Sequence, residues 1–157
     1  MKVIKANRNY EIKVDDDVYE WASKNKWFVT KLGYAIRSYG GRKNRKTIYL
    51  HRMIINIPSG FVTDHINGNK LDNRRENLRV ATRSQNRINS NIQKNNKSGT
   101  RGVYYDKHKK RWIVRLYKMR KKMLLASFKN IDEARKAYHN KAIEVYGEFY
   151  LNKIKYL

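Results

Sequence analysis

The stretch FVTDHINGNKLDNRRENLRVATRSQN, residues 61–86, carries the pattern that decides the local fold. An apolar segment ends at Asp64-His65, a polar loop containing glycine follows, and a second apolar segment begins at Leu78. Thr82 belongs to the residue types that cap helices, so a helix is expected to follow it. The stretch therefore predicts a strand, a loop, a second strand and a helix.

This order of elements can bring candidate catalytic side chains together. Asp64 and His65 end the first predicted strand, and Asn86 lies on the predicted helix. An adjacent carboxylate and imidazole facing an amide oxygen suit one hard divalent cation and one general base. The alternative is a polar loop whose amides only satisfy turns, which would explain Asn67-Gly68 but not the Asp-His step at the end of a strand.

These residues resemble the HNH nuclease motif. Asp64-His65, Asn77 and Asn86, joined by INGNKLDNRRENLR, match the branch found in phage and intron-encoded homing endonucleases, in which asparagine takes the last motif position. The resemblance covers residues 50–86. It implies a ββα-metal module that hydrolyses DNA, encoded in an intron or standing free in a phage genome and acting in the cytoplasm of a bacterial host cell.

The chemistry implied by the resemblance gives each residue a role. One Mg²⁺ or Mn²⁺ is expected between Asp64 and the side-chain oxygen of Asn86, with further ligands from water and phosphate. His65, neutral near pH 7, would accept a proton from the attacking water. Asn77 is expected to brace the loop and orient His65. His51 could approach the scissile phosphate or pack structurally; the second role is favoured because His65 already supplies the base.

The composition indicates a polyanionic partner. The 157 residues include 37 Lys and Arg against 13 Asp and Glu, a formal net charge of +24. Nucleic acid is the first candidate and an anionic membrane surface the second, whereas no small-molecule substrate is indicated. The resemblance implies double-stranded DNA. No apolar run reaches the roughly 20 residues needed to span a bilayer. The absence of cysteine excludes disulfides and thiolate zinc sites. The phosphate-contact candidates near the motif are Arg74, Arg75 and Arg79.

Residues 1–50 predict a β-rich scaffold segment before the nuclease module at 51–88. Asp15-Asp16-Asp17 precede an apolar helical pattern, so we interpret them as helix-capping residues rather than metal ligands. The basic residues 42–46 form either a solvated loop or a DNA contact. Residues 89–99 are rich in Asn and Lys and predict a basic linker. The predicted fold class is α+β.

Residues 100–157 predict a three-stranded antiparallel sheet packed on one helix that Asn130 caps. Arg101-Gly102-Val103, Arg111-Trp112-Ile113-Val114 and the segment from Glu133 to Asn152 resemble an AP2 domain. That family lays its sheet in the major groove of DNA. Carried over by position, the expected DNA contacts are Arg101, Tyr104, Arg115, Tyr117, Lys122 and Ser127, with Arg115 the candidate for a bidentate guanine contact.

Two other classes stay open at this stage. A regulator that binds DNA through the sheet without cleaving it has no reason to keep Asp64, His65 and Asn86. A basic RNA-binding protein would need no metal site and should prefer structured RNA. A single predicted active site and the lack of an evident dimer interface indicate a monomer that nicks one strand.

Overall fold

The computed structural model describes residues 1–90, 92–118 and 121–155, without the side chains of Lys122, Leu124 and Lys153. The chain divides into two compact units, residues 1–89 and 90–155. Both mix short antiparallel strands with helices, so the predicted α+β class is confirmed. No helix in the described part of the chain is long and apolar enough to cross a membrane.

The first unit contains three small antiparallel sheets and three short helices. Its strands pair as β1 with β2, β3 with β4 and β5, and β6 with β7. The sequence predicts most of these elements, although β1 was not predicted. The strands are β1 (Lys2–Lys5), β2 (Glu11–Val14), β3 (Phe28–Val29), β4 (Ala35–Tyr39), β5 (Lys46–Tyr49), β6 (Val62–His65) and β7 (Leu78–Ala81), and the helices are α1 (Asp16–Ala22), α2 (Leu50–Ile54) and α3 (Arg83–Asn89).

The core of this unit lies in the N-terminal segment. Alternate residues of β1 and β2 bury Ile4, Ile12 and Val14 against α1, as a two-residue period requires. Trp27 joins this cluster and donates from Nε1 to the carbonyl of Ala22 at 2.9 Å. The nuclease motif itself contributes few apolar residues to the cluster, so its fold depends on the N-terminal segment for burial.

Main-chain hydrogen bonds attach the motif loop to β2. The N–H of Lys13 donates to the carbonyl of Leu71 at 2.8 Å, and the N–H of Asn73 donates to the carbonyl of Lys13 at 2.8 Å. Lys13 and Asp72 thus form a parallel bridge. The first 50 residues and the motif are consequently parts of one compact unit.

The acidic run 15–17 begins α1 as predicted, with Asp15 at the N-cap position and Asp16 and Asp17 in the first turn. Asp15 stands at the N-cap without a side-chain capping bond. Its carboxylate accepts from the main-chain N–H of Arg75 at 2.9 Å, and Asp17 pairs with the Arg75 guanidinium at 2.7 Å. The predicted placement at the helix start is therefore confirmed, but the Asp15 side chain binds Arg75 instead of capping the helix, because the main chain and guanidinium of Arg75 supply its donors.

The second unit has a three-stranded antiparallel sheet in the order β10-β9-β8. The helix α4 packs on all three strands and begins at the predicted cap, where Asn130 accepts from the N–H of Asp132 at 2.6 Å. The sequence did not predict the last helix, α5. The elements are β8 (Val103–Asp106), β9 (Arg111–Lys118), β10 (Lys121–Phe128), α4 (Ile131–Tyr146) and α5 (Glu148–Lys155).

The end of the predicted linker packs within this unit. Ser98 is buried, and its hydroxyl donates to the carbonyl of Val103 at 2.7 Å. The guanidinium of Arg135 on α4 donates from Nη2 to the carbonyl of Ser98 at 2.8 Å. Ordered structure in the second unit thus begins before residue 100. The predicted turn at Met119 and Arg120, by contrast, lies outside the described residues.

Gly102 is the tightest point between the sheet and α4. Its φ is +77°, and a Cβ there would lie 2.2 Å from the carbonyl oxygen of Arg115 and 2.6 Å from the Tyr138 ring. We expect Gly102→Ala to destabilise the second unit by about 3 kcal/mol, from left-handed strain plus overpacking. Native-state hydrogen exchange of the β9 amides measures this cost.

Gly147→Ala is the matched control for that substitution. Gly147 also has a positive φ, +54°, but apart from its chain neighbours no atom of the described residues lies within 4 Å of the position of its Cβ. Its ψ of −133° lies outside the left-handed helical region, so the substitution should cost about 2 kcal/mol of backbone strain, without overpacking. Equal effects of the two substitutions would contradict the close packing assigned to Gly102.

Candidate active site

The carboxylate of Asp64 is the meeting point of β6, β7 and α3. Arg79 lies directly opposite Asp64 in the β6–β7 pairing, and its Nε and Nη2 each lie 2.8 Å from Oδ2. Asn89, the last residue of α3, donates from Nδ2 to Oδ1 at 3.0 Å. Asp64 is only 2% exposed, so these donors offset the desolvation of a buried charge.

Asn89 is the site residue that sequence reasoning missed. Its Nδ2 also donates to the carbonyl of His65 at 2.7 Å, which holds α3 against the end of β6. Asn86 lies three positions earlier, on the same helix face. The chain thus offers two asparagines at helical spacing, and only the fold distinguishes the one that contacts Asp64.

The start of α3 follows the predicted capping chemistry. The Oγ1 of Thr82 accepts from the N–H of Gln85 at 3.2 Å, and the Oε1 of Gln85 accepts in return from the N–H of Thr82 at 2.8 Å. This reciprocal pair is a capping box. It fixes where α3 begins and hence where Asn86 and Asn89 lie along the helix.

His65 is buried beside Asp64, and its environment keeps it neutral. Burial lowers the pKa of His65 and outweighs the opposing effects of Asn73, Asp64 and Asp72. Neutral imidazole is the form that accepts a proton. His65 and Asp64 thus combine a neutral base with a paired carboxylate in adjacent positions.

Asn73 is a second residue that the sequence reasoning left out. It is fully buried, and its side chain acts on the imidazole in the sense that raises the pKa of His65. Nε2 of His65 and Oδ1 of Asn73 are both buried atoms without a close hydrogen-bond partner among the described residues. They are complementary, because an imidazole N–H donates to an amide oxygen. No sequence signal separated Asn73 from the other loop asparagines.

Asn77 lies within the loop network. Its Oδ1 accepts from the N–H of Asn67 at 2.9 Å, and its Nδ2 donates to the carbonyl of Asp72 at 2.7 Å. Asn67 in turn donates from Nδ2 to the Asp72 carboxylate at 3.0 Å. These bonds tie the two sides of the loop together next to His65, which is the geometry that the bracing hypothesis requires.

His51 packs edge-on against His65, with ring centroids 5.3 Å apart. Tyr34 and Tyr49 flank it at 5.5 and 5.4 Å. Burial, with smaller contributions from the neighbouring His65 and from the charge of Arg52, lowers the pKa of His51 to about 3. A permanently neutral, enclosed imidazole of this kind fits a packing role.

The three arginines predicted to contact phosphate all lie in ion pairs. Arg79 holds Asp64, as described above. Arg74 makes a bidentate pair with Asp72, at 2.8 and 2.7 Å, and also pairs with Glu76. Arg75 pairs with the two carboxylates of Asp15 and Asp17. These guanidinium charges are therefore balanced within the unit.

Most of the predicted DNA contacts of the second unit share one face of its sheet. Tyr104 and Ser127 both oppose Ile113, and Lys122 opposes Tyr117. A bulge between Leu124 and Ala126 shifts the register by one residue, so that Ser127 rather than Ala126 opposes Ile113. The side chain of Lys122 lies outside the described residues. Arg115, on the same face, lies over the Tyr104 ring at 4.5 Å, whereas Arg101 donates to the carbonyl of Ser90 at 2.9 Å.

The donors at Asp64 fit a hard cation of low protein coordination. No group of three His, Cys, Asp or Glu in the described part of the chain could hold a metal ion. Oδ2 of Asp64 is occupied by the Arg79 fork, whereas Oδ1 accepts one hydrogen bond and keeps a second acceptor direction. One carboxylate oxygen with a remaining acceptor direction suits a cation that keeps waters and takes substrate phosphate oxygens, as Mg²⁺ does.

Comparison with known proteins places this site in a family. A family model described as HNH endonuclease matches residues 56–88, which include β6, the loop, β7 and most of α3. No solved structure gives a significant match to the chain.

Three viral, phage or prophage proteins are similar to this chain. An uncharacterized HNH endonuclease, L560 of Acanthamoeba polyphaga mimivirus, is 34% identical over 138 residues, covering 85% of this chain and 69% of that protein. Protein 3.8 of Escherichia phage T7 is 39% identical over 56 residues, or 36% of this chain and 46% of that protein. A prophage-derived protein of Bacillus subtilis (strain 168), whose name assigns it provisionally to the HNH homing endonucleases, is 38% identical over 69 residues, or 40% of each chain.

The match to the mimivirus protein extends well beyond the motif, and the family model covers Asp64, His65 and Arg79, ending one residue before Asn89. The resemblance to HNH nucleases is therefore confirmed: the chain belongs to the HNH endonuclease family.

Proposed function

We propose that this protein is a metal-dependent endonuclease of the homing type that hydrolyses double-stranded DNA. The single observation that carries the proposal is the buried pairing of Asp64 with Arg79 and Asn89, directly beside a neutral imidazole. A protein that only bound DNA or RNA would gain nothing from this arrangement. A paired buried charge is costly to assemble and stabilises the fold little by itself.

His65 acts as the general base. If its Nε2–H donates to Oδ1 of Asn73, the neutral ring presents Nδ1 as the acceptor for a proton of the attacking water. Asn73 and Asn77 then fix the tautomer and the loop on which the imidazole lies. This division of roles extends the original expectation, in which Asn77 alone oriented His65.

Oδ1 of Asp64 and the side-chain oxygen of Asn86 are the atoms that would hold a divalent cation, Mg²⁺ or Mn²⁺. Bound there, such a cation neutralises charge on the scissile phosphate and assists the leaving oxygen. Arg79 binds Oδ2, which leaves Oδ1 as the carboxylate oxygen that would hold the cation. Asn89 supports the position of α3, which carries Asn86.

Targeting is assigned to the sheet of the second unit, which we infer to be AP2-like and to lie in the major groove. The common face of Tyr104, Arg115, Tyr117 and Ser127 supports this assignment. The guanidinium of Arg115 rests on the Tyr104 ring, which limits its rotamers and aims it for a bidentate contact with guanine. The protein works as a monomer that nicks one strand, and its phage and viral relatives are consistent with action inside a host cell.

The first prediction concerns the base. His65→Ala should abolish cleavage of supercoiled DNA, by about 10³-fold or more, while DNA affinity in EDTA changes less than about twofold. Conversion of supercoiled to open-circular DNA on gels measures the rate. His108→Ala, in a hairpin turn of the other unit, is the matched control and should keep the wild-type rate. Undiminished nicking by His65→Ala would refute the assigned site.

The second prediction concerns the cation. EDTA should stop cleavage, and Mg²⁺ or Mn²⁺ should restore it, because the chain alone supplies no Lewis acid. Asp64→Asn keeps the shape of the side chain but removes the charge that attracts the cation. It should raise the Mg²⁺ concentration for half-maximal rate at least about tenfold. Turnover that persists at excess chelator would contradict the metal role.

The third prediction concerns targeting. Arg115→Gln should relax base preference at one position of the site, at a cost of about 1–3 kcal/mol in discrimination. Sequencing of duplexes selected by binding from a random pool measures the preference. Lys107→Gln, in the turn between β8 and β9, removes the same charge without a place on the sheet face and should leave the preference unchanged. An identical selected motif for wild type and Arg115→Gln would exclude the assigned contact.

A further inference from the structure

Lys70 contacts neutral groups, whereas the arginines around the active site contact carboxylates. It lies in the motif loop, five positions after His65, and its Nζ donates to the carbonyl of Leu32 at 2.8 Å. The ammonium group lies 4.4 Å from the centroid of the Tyr34 ring. Leu32 and Tyr34 belong to the turn between β3 and β4, outside the residues that the family model matches.

The turn between β3 and β4 packs against the aliphatic part of the Lys70 side chain. Gly33 has a φ of +85°, and the position of its absent Cβ lies 3.8 Å from Cδ of Lys70, so the aliphatic stem runs along the turn. The turn closes through the N–H of Gly33 on the carbonyl of Thr30 at 2.9 Å and the N–H of Tyr34 on the Thr30 hydroxyl at 3.1 Å. The position of the ammonium group is therefore set by two contacts with neutral groups, the carbonyl of Leu32 and the ring of Tyr34.

The charge of Lys70 is left uncompensated by these contacts. Arg74, Arg75 and Arg79 each pair with carboxylates, whereas Lys70 has no carboxylate partner among the described residues. A carbonyl and an aromatic ring orient a cation without neutralising it. The ammonium group has three N–H donors, and only one is directed at Leu32.

Lys70 also lies beside the catalytic base. The Tyr34 ring that it contacts has its centroid 6.2 Å from that of His65, so one ring borders both side chains.

We propose that Lys70 is the phosphate-binding cation of the active site and that Tyr34 is its positioning residue. This inference rests on the proposed nuclease function and replaces the three paired arginines in that role. Lys70 donates to a non-bridging oxygen of a DNA phosphate at the cleavage position. The turn between β3 and β4 thus contributes directly to the site, as a part of the nuclease that lies outside the HNH motif.

The test compares Lys70→Gln with Lys24→Gln, which removes the same charge from an exposed position near the end of α1. DNA affinity is measured in EDTA over a range of salt concentrations. Loss of one phosphate contact should reduce the slope of log affinity against log salt by about 0.9 for Lys70→Gln and leave it unchanged for Lys24→Gln. The nicking rate with Mg²⁺ should fall about 100-fold for Lys70→Gln alone.

Two further variants separate charge from packing. Lys70→Arg should keep the salt slope, and Tyr34→Phe should keep both slope and rate because the ring remains. Tyr34→Leu should lower the rate by releasing Lys70. If Lys70→Gln lowers the melting temperature but matches Lys24→Gln in salt slope and rate, Lys70 only fastens the loop and the proposal is overturned.

The outcomes also separate this inference from the nuclease proposal. A wild-type protein that binds but never nicks DNA, with a reduced slope for Lys70→Gln, would refute the nuclease function and leave Lys70 as a phosphate contact. A wild-type protein that nicks, with Lys70→Gln equal to Lys24→Gln in rate and slope, would refute the assignment of Lys70 alone.

Discussion

A single buried carboxylate constrains the architecture around the active site. Asp64 is almost without solvent, so its charge must be balanced by protein donors, and the donors come from two different elements. Arg79 reaches it across the β6–β7 pairing, and Asn89 reaches it from the end of α3. Loss of either partner would leave a buried charge under-satisfied. The contacts of the Asp64 carboxylate thus favour both the β6–β7 register and the packing of α3 against β6.

The N-terminal segment is as much a part of the site as the motif is. It supplies the apolar cluster that the polar motif lacks, and β2 holds the loop through the main chain of Lys13. The N–H of Asn73 makes one of those bonds, and the side chain of the same residue acts to raise the pKa of His65. Tyr34 and Tyr49 then enclose His51 next to the same imidazole. The motif can therefore contain a long polar loop because the N-terminal segment provides the apolar burial that stabilises it.

The sequence was sufficient for the local elements and for the residues at the strand end. The Asp64-His65 step, the Thr82 cap and the Asn130 cap follow from patterns within a few positions, and the structure contains each of them. Contacts between residues far apart in the chain could not be predicted from the sequence. Nothing local distinguishes Asn89 from Asn86 or Asn73 from its neighbours, since only packing decides which amide faces the carboxylate or the imidazole. The partners of the arginines were missed for the same reason: Asp15 and Arg75 are 60 positions apart in the chain.

The position of a bound cation tests the central claim most directly. Crystals soaked with Mn²⁺ and measured at the manganese absorption edge would locate the ion by anomalous scattering. The account predicts one peak at about 2.2 Å from Oδ1 of Asp64, on the side away from Arg79, with the side chain of Asn86 as its neighbour. A peak that avoids Asp64, or an Asp64 carboxylate with both oxygens closed by protein donors while Mn²⁺ binds elsewhere, would contradict it.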